Sequence, residues 1–177
     1  MNESNHDADG ATAAGPEAPA GHFEILKIYA KDISFETPNS PAMFRVEWKP
    51  NINLNLSSAA QRINPGEYEV VLSVTVTVTI EERTAFLAEV QSSGIFAITG
   101  LTDYELAPVL GSLCPGILYP YAREMVSDLT SRGGFPQCIL APVNFDSLYR
   151  QQQTAEAQQA PGGGATAAVS PPAGDGA

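Results

Sequence analysis

The fold of this chain is decided by residues 68–81, which read YEVVLSVTVTVTIE. The even-numbered positions, from Tyr68 to Ile80, carry an aromatic or aliphatic side chain, whereas most odd-numbered positions carry Glu, Ser or Thr. Because successive side chains of a strand point to opposite faces, this alternation predicts a long strand with one buried and one largely solvated face. Strands of this kind belong to antiparallel sheets.

Three further strands are predicted around this one. Residues 83–98 follow a tight acidic connection and alternate in the same way, as expected of a hairpin partner. The other two strands are predicted at residues 23–36 and 46–63, and Asn64-Pro65-Gly66 forms the turn into the long strand.

The apolar period changes after Gly100. Apolar side chains then recur at intervals of three and four, the spacing of an amphipathic helix: Leu106, Val109, Leu110, Leu118, Tyr121, Met125, Val126 and Leu129. Pro115 and Pro120 are expected to kink or divide this helix, since proline removes a helical hydrogen bond.

Sequence signals also indicate where that helix ends and where a second helix begins. Arg132, Gly133 and Pro136 form a helix stop, and a second helix is predicted from about Asn144. The predicted fold class is therefore α+β, a four-stranded antiparallel sheet with two helices packed on one face.

Both ends of the chain are poor in core-forming residues. Residues 1–21 are rich in Ala, Gly, Pro and acidic groups, and residues 154–177 are dominated by Ala, Gly and Pro. Such segments bury too little apolar surface to offset the entropy lost on ordering. We expect a disordered extension at residues 1–21, one folded domain at residues 22–152 and a disordered tail at residues 153–177.

The charge of the chain restricts its partners. Nine basic residues face twenty acidic ones, for a formal net charge of -11. This excess argues against nucleic acid and anionic lipid as partners and favours a basic or zwitterionic protein. No apolar run approaches the roughly 18 residues that span a bilayer, and the N-terminus lacks the positive start and apolar centre of a secretory signal. We therefore expect a cytoplasmic protein with no direct membrane insertion.

The predicted domain is poor in side chains that commonly act in catalysis or bind metals. The two histidines, His6 and His22, lie in or at the edge of the N-terminal extension, so a base for nucleophilic catalysis or a histidine zinc site is not expected inside the fold. Cys114 and Cys138 have no metal-type spacing. We predict a protein that is not an enzyme and that uses no metal and no cofactor.

Strand alternation groups several acidic residues. Asp32, Ser34 and Glu36 point one way from the first strand, and Leu87 and Glu89 share a face of the fourth. Two interpretations remain open: an ordinary solvated sheet face, or a partner-docking surface with an exposed leucine among carboxylates.

Six aromatic residues lie near turns, loops and the ends of predicted elements: Phe44, Trp48, Phe96, Phe135, Phe145 and Tyr149. Aromatic side chains of a small domain mostly belong to its core, but such a set can also line a groove for apolar peptide. Both interpretations remain open.

A series of short segments resembles the SecB protein-export chaperone family. No single segment is decisive, but the series matches in order and spacing across nearly the whole predicted domain. The segments are IYAKDISFE (28–36), YEVVL (68–72), TAFLAEVQ (84–91), GIF (94–96), CP (114–115), IL (117–118), PYARE (120–124), SRG (131–133), FP (135–136) and LAPVNFD (140–146).

The resemblance implies a SecB-like tetramer, a dimer of dimers, without catalytic activity. It implies a chaperone that holds unfolded precursor proteins in the bacterial cytoplasm and delivers them to the SecA motor of the Sec pathway. The acidic sheet face docks SecA in this family, and the matching positions here are Asp32, Glu36, Leu87 and Glu89.

The resemblance also implies long apolar grooves that hold the client. Trp48, Phe96, Phe135 and Phe145 become candidates to line them, together with Phe44 from the same aromatic set. An alternative function stays open at this point, namely a non-enzymatic adaptor that binds a single folded partner through its acidic sheet face.

Overall fold

The computed structural model describes residues 21–159, which form one sheet and several helices. The predicted N-terminal extension lies outside the described residues apart from Gly21, as does the predicted tail beyond Gln159. The final helix runs past Gln152, the domain boundary expected from sequence. The elements are β1 (His22–Glu36), a 3-10 helix (Ala42–Arg45), β2 (Asn51–Asn64), β3 (Glu67–Ile80), β4 (Arg83–Thr99), α1 (Asp103–Pro108), a π-helical segment (Val109–Leu113), α2 (Cys114–Arg132) and α3 (Phe145–Gln159).

The four strands are antiparallel and lie in the order β1-β4-β3-β2, which confirms the predicted sheet. The alternation of β3 is also confirmed, because the even-numbered side chains from Val70 to Ile80 are buried. The β3–β4 hairpin turns through Glu81 and Glu82, whose φ angles are 50° and 65°. Two consecutive left-handed residues match the twist of a two-residue hairpin.

The second strand begins at Asn51, so the predicted start at Val46 was wrong. Pro50 has no N–H to donate to a ladder, which prevents the strand from extending toward the 3-10 helix. The residues before it cross instead toward the segment after α2, where the ring centroid of Trp48 lies 5.9 Å from that of Phe135.

Three consecutive helical segments follow β4, and the second and third of them contact the sheet. α1 begins at a capping box, in which the Thr102 hydroxyl accepts from the Glu105 N–H and the Glu105 carboxylate accepts from the Thr102 N–H. α2 packs on β3 and β4, with Leu118 above Gly94. It ends at Arg132 with Gly133 as its cap, as predicted.

The expected break in the first helix occurs as the π-helical segment, which begins directly after Pro108 and ends two residues before Pro115. Pro115 lies in the first turn of α2, where a missing N–H is tolerated, and α2 continues through Pro120. π-helical turns inside α-helices are rare and widen the backbone locally. In this chain the widened turn is the surface on which α3 docks.

α3 packs on the π-helical segment through two contacts. The Ser112 hydroxyl donates to the carboxylate of Asp146, and the ring of Tyr149 covers Gly111. A Cβ atom added at Gly111 would lie 2.5 Å from Tyr149 Cδ2, so the absence of a side chain there determines how closely α3 approaches. Asn144 Oδ1 caps the first turn of α3.

A buried carboxylate ties the strands together on the side of the sheet away from α2. Glu69 of β3 accepts hydrogen bonds from Tyr29 and Lys31 of β1 and from Gln61 of β2, with 2.7 Å between Lys31 Nζ and Oε1. Tyr29 reaches it from the position opposite Ser93, a fully buried serine of β4. The bonds from Lys31 and then Tyr29 lower the pKa of the Glu69 carboxyl to about 2.

Replacing Gly111 with alanine should loosen α3, because the new methyl group would displace the Tyr149 ring. We expect faster amide hydrogen exchange across α3 in Gly111→Ala. Gly116→Ala is the matched control, since an added Cβ there meets its nearest neighbour, Phe145, at 3.9 Å. Equal exchange in the two variants would contradict this account of α3 docking.

Replacing Glu69 with glutamine should lower stability near neutral pH and flatten its acid dependence. The pKa of this carboxyl is lowered from 4.5 to about 2, so its ionised form stabilises the fold above pH 4.5 and that contribution is lost as the pH falls toward 2. Urea midpoints at about pH 7 and about pH 3, at one protein concentration, should differ less in Glu69→Gln than in the parent.

Glu47→Gln is the control for that comparison. Glu47 is exposed, and in the described part of the chain its carboxylate pairs only with the exposed Lys49. We expect its urea midpoints to follow the parent at both pH values. A Glu69→Gln variant with the parent's acid dependence would show that this carboxylate does not couple folding to pH.

Candidate functional site

The side of the sheet that α2 does not cover, here called the open face, carries the four predicted docking residues at one end. Glu36 lies opposite Leu87, and Ser34 lies opposite Glu89, in the β1–β4 ladder. Asp32 lies on the same side of β1, two positions before Ser34. Strand alternation predicted these groupings within each strand, and the register joins them into one surface. We call Asp32, Glu36, Leu87 and Glu89 the acidic end.

No Lys or Arg between residues 21 and 159 forms an ion pair with a carboxylate of the acidic end. Leu87 is half-buried among these carboxylates. Toward β2 the open face is polar and uncharged, as shown by the cross-strand pairs Asn53–Thr77 and Asn55–Thr75. The surface therefore combines an uncompensated negative region with one apolar side chain, a combination that suits a basic protein surface.

Three of the five groove candidates meet on the side of the sheet that α2 covers. The ring centroid of Phe135 lies 5.0 Å from that of Phe44 and 5.9 Å from that of Trp48. Phe35 and Phe86 lie beneath, at 6.5 Å and 5.1 Å from Phe135. We call these five residues the aromatic cluster. Phe135 is 6% exposed and Phe44 is 52% exposed, so the cluster has a buried floor and an accessible rim.

Two residues in the floor of the aromatic cluster, Phe35 and Phe86, were not among the groove candidates predicted from sequence. The β1–β4 register puts Phe35 on the face opposite Asp32 and Glu36, but nothing in the sequence joins it to Phe86 or Phe135. That contact depends on the segment after Gly133 returning over the sheet. An added Cβ at Gly133 would collide with the Phe35 ring, so this return is close.

The other two candidates lie away from the cluster. Phe96 is fully buried, 5.7 Å from the ring centroid of Phe23, and is a core residue rather than a groove surface. Phe145 packs 5.5 Å from the ring centroid of Tyr119 and lines a second groove of about 670 Å³. The apolar walls of that groove also include Pro108, Val109, Leu113, Ile117 and Val143.

Both outer strands expose apolar side chains. Within the described residues β1 pairs with β4 alone and β2 with β3 alone, so each has an edge without a strand neighbour. The large exposed apolar side chains are Phe23, Ile25, Leu26 and Ile33 on β1, and Ile52, Leu54 and Ile63 on β2. Such edges can pair with another chain.

The described residues hold few reactive groups. Burial raises the pKa of the Cys114 thiol to about 12 and also raises the pKa of Cys138, so neither is a ready nucleophile. His22 lies at the exposed start of β1, 3.5 Å from a Glu24 oxygen. Among the side chains that the structure describes, no group of His, Cys, Asp and Glu could hold a metal ion. Across residues 21–159, no helix has the length and apolar character needed to cross a membrane.

The chain is similar to known export chaperones over most of its length. The model of the family described as preprotein translocase subunit SecB matches residues 16–156. The protein-export protein SecB of Methylococcus capsulatus is 54% identical over 144 residues, which cover 81% of this chain and 93% of that protein.

The fold also matches a solved structure, that of a SecB-like chaperone from Mycobacterium tuberculosis in complex with a peptide from an antitoxin. The TM-score is 0.57 at 21% identity, and the match covers 68% of this chain and 90% of that chain. The family match and the curated relative together show that this chain belongs to the SecB family.

Proposed function

We propose that this chain captures unfolded precursor proteins in its apolar grooves, keeps them competent for translocation and delivers them to the SecA motor. As a member of the SecB family it is a chaperone of the Sec export pathway. The adaptor alternative is not favoured, because the matched family and the curated relative are export proteins. The aromatic cluster, with its accessible rim on a buried floor, is the observation that carries the proposal.

The aromatic cluster fits a client without a defined sequence. Apolar side chains of an unfolded segment would bury against Phe44 and Trp48, at about 25 cal/mol per Å² of apolar surface removed from water. This energy depends on area rather than on one residue type, so many segments fit. The floor of Phe35, Phe86 and Phe135 is already packed, so the rim is held in place before a client arrives.

An extended client has two further places to bind. The groove beside Phe145 offers a second apolar surface. The free edge of β2 offers backbone donors and acceptors to an added strand. Weak contacts at several such places on one long chain reinforce one another through effective concentration. Release then needs no nucleotide, since folding of the client or transfer to SecA competes with rebinding.

The acidic end is the proposed docking surface for SecA. Its carboxylates are without basic partners in the described part of the chain, so a basic partner surface would gain attraction without breaking ion pairs. It lies on the face opposite the aromatic cluster. Client and SecA can therefore bind the same subunit together.

The proposed assembly is a homotetramer, a dimer of dimers, in the bacterial cytoplasm. The free edge of β1 and its exposed Ile25 and Ile33 support a strand-pairing contact between subunits. Tyr121 on α2 is half-exposed and supports a second contact through the helices. We further propose that the protein has no catalytic activity and needs no cofactor.

Client capture should depend on Phe44. Half of this side chain is exposed, so Phe44→Ala should preserve the fold while removing part of the apolar rim. We expect about fivefold weaker capture of a denatured precursor, from the loss of about 1 kcal/mol of apolar burial. The measurement is retardation of precursor refolding without nucleotide, with native mass of the chaperone alone and with the precursor.

Tyr104→Ala is the control for that variant, because Tyr104 is a 90% exposed aromatic of α1 away from the aromatic cluster. It should retard refolding as the parent does. If the parent itself fails to slow refolding at one tetramer per precursor, the chaperone proposal fails. A native mass other than that of a tetramer would remove the proposed assembly.

Charge reversal on the acidic end should weaken SecA binding and spare clients. Asp32→Lys or Glu89→Lys places a cation in a surface proposed to meet basic groups, and we expect a loss of about tenfold or more at low salt. Glu47→Lys makes the same charge change outside the open face and should have little effect. Unchanged SecA affinity in both test variants would remove the acidic end as the docking surface.

A further inference from the structure

We propose that Glu69 is a positioning residue for partner docking, because it holds the Lys31 ammonium away from the acidic end of the open face. This inference rests on the proposed docking of SecA to that end. It assigns a role to the ion pair between the exposed Lys31 and the buried Glu69, which lies on the docking face but outside the four docking residues.

A β-bulge brings Lys31 to the docking face. The β1–β4 register passes from Ala30 opposite Ser92 to Asp32 opposite Gln91, which leaves Lys31 as an extra residue. In a regular strand Lys31 and Asp32 would point to opposite sides. Here Asp32 faces the open side, and the Lys31 side chain reaches Glu69 on that same side. A lysine and a docking carboxylate are therefore adjacent in sequence and on one face.

Glu69 is built to retain this lysine. Its side chain is only 8% exposed, and its oxygens accept from Tyr29, Lys31 and Gln61. The donors come from strands on both sides of β3, so the carboxylate cannot turn away without breaking several bonds. A charged acceptor with this many donors forms stronger hydrogen bonds than an exposed surface pair.

The pair divides the open face into two electrostatic regions. Around Glu69, one carboxylate is matched by one ammonium. At the acidic end, Asp32, Glu36 and Glu89 have no basic partner within the described residues. Without Glu69, the flexible Lys31 side chain is free to swing toward neighbouring Asp32. It would then offset part of the charge that a basic partner recognises.

A four-variant comparison of SecA affinity tests this role: the parent, Glu69→Gln, Lys31→Gln and the double variant. We expect Glu69→Gln to weaken binding about three- to tenfold at about 50 mM salt, with a smaller effect at about 300 mM. Adding Lys31→Gln should restore the parent affinity, since the freed cation is then absent. A purely structural role of Glu69 would not be rescued by removing its partner.

Two controls make the test specific. Glu47→Gln removes a carboxylate from the exposed Glu47–Lys49 pair and matches the net charge of Glu69→Gln, so a general charge effect would appear in both. Glu69→Asp keeps the net charge but shortens the side chain that reaches Lys31. Glu69→Asp replaces Glu69→Gln as the test variant if Glu69→Gln does not fold. It too should bind SecA more weakly, and Lys31→Gln should restore its affinity.

The outcomes separate this inference from the docking proposal. If Asp32→Lys does not weaken SecA binding, the docking surface itself is wrong. If Asp32→Lys weakens binding but folded Glu69→Gln and Glu69→Asp bind as the parent does, the positioning role is overturned. Weakening that Lys31→Gln does not rescue also overturns it. Weakening with rescue, absent in Glu47→Gln, establishes the role.

Discussion

One antiparallel sheet has a face buried under helices and a face exposed to solvent, and the rest of this protein depends on that constraint. In β3 and β4 nearly every second side chain is buried beneath α2, the 3-10 helix and the returning segment around Phe135. A strand has only two sides, so the remaining side chains must lie on the open face. Two unlike surfaces thus arise back to back on one sheet.

The face that α2 packs against is only partly covered, as the proposed capture of clients requires. α2 packs on β3 and β4 but leaves Ile52 and Leu54 of β2 exposed. In the same cross-strand rows, on the β1 and β4 side, aromatic rings fill the covered face, and Phe44 at their rim stays half-exposed. A fully closed core would be more stable but would offer no apolar surface to a client. The packed floor under Phe44 keeps this exposed surface from collapsing.

The charges of the open face are unevenly distributed between a neutral pair and a group of unpaired carboxylates. Glu69 and Lys31 neutralise each other at one end, whereas the carboxylates of the acidic end have no such partner in the described residues. The difference arises from one extra residue in β1, since the bulge turns Lys31 and Asp32 to the same side. The carboxylate of Glu69 on β3 then pairs with Lys31 and leaves Asp32 without a basic partner in the described residues.

The sequence by itself determined the strands, their two faces and the end of the long helix, because strand alternation and the glycine cap are properties of a short stretch of backbone. It also grouped Asp32 with Glu36, and Leu87 with Glu89. It misplaced the start of β2, and it could not distinguish the core residue Phe96 from the rim residue Phe44. Only the tertiary structure decided the neighbours: the cluster of Phe35, Phe86 and Phe135, the docking of α3 on a π-helical turn, and the Glu69 network. Those contacts depend on strand order, a bulge and the path of a returning loop, which bring together residues far apart in the chain.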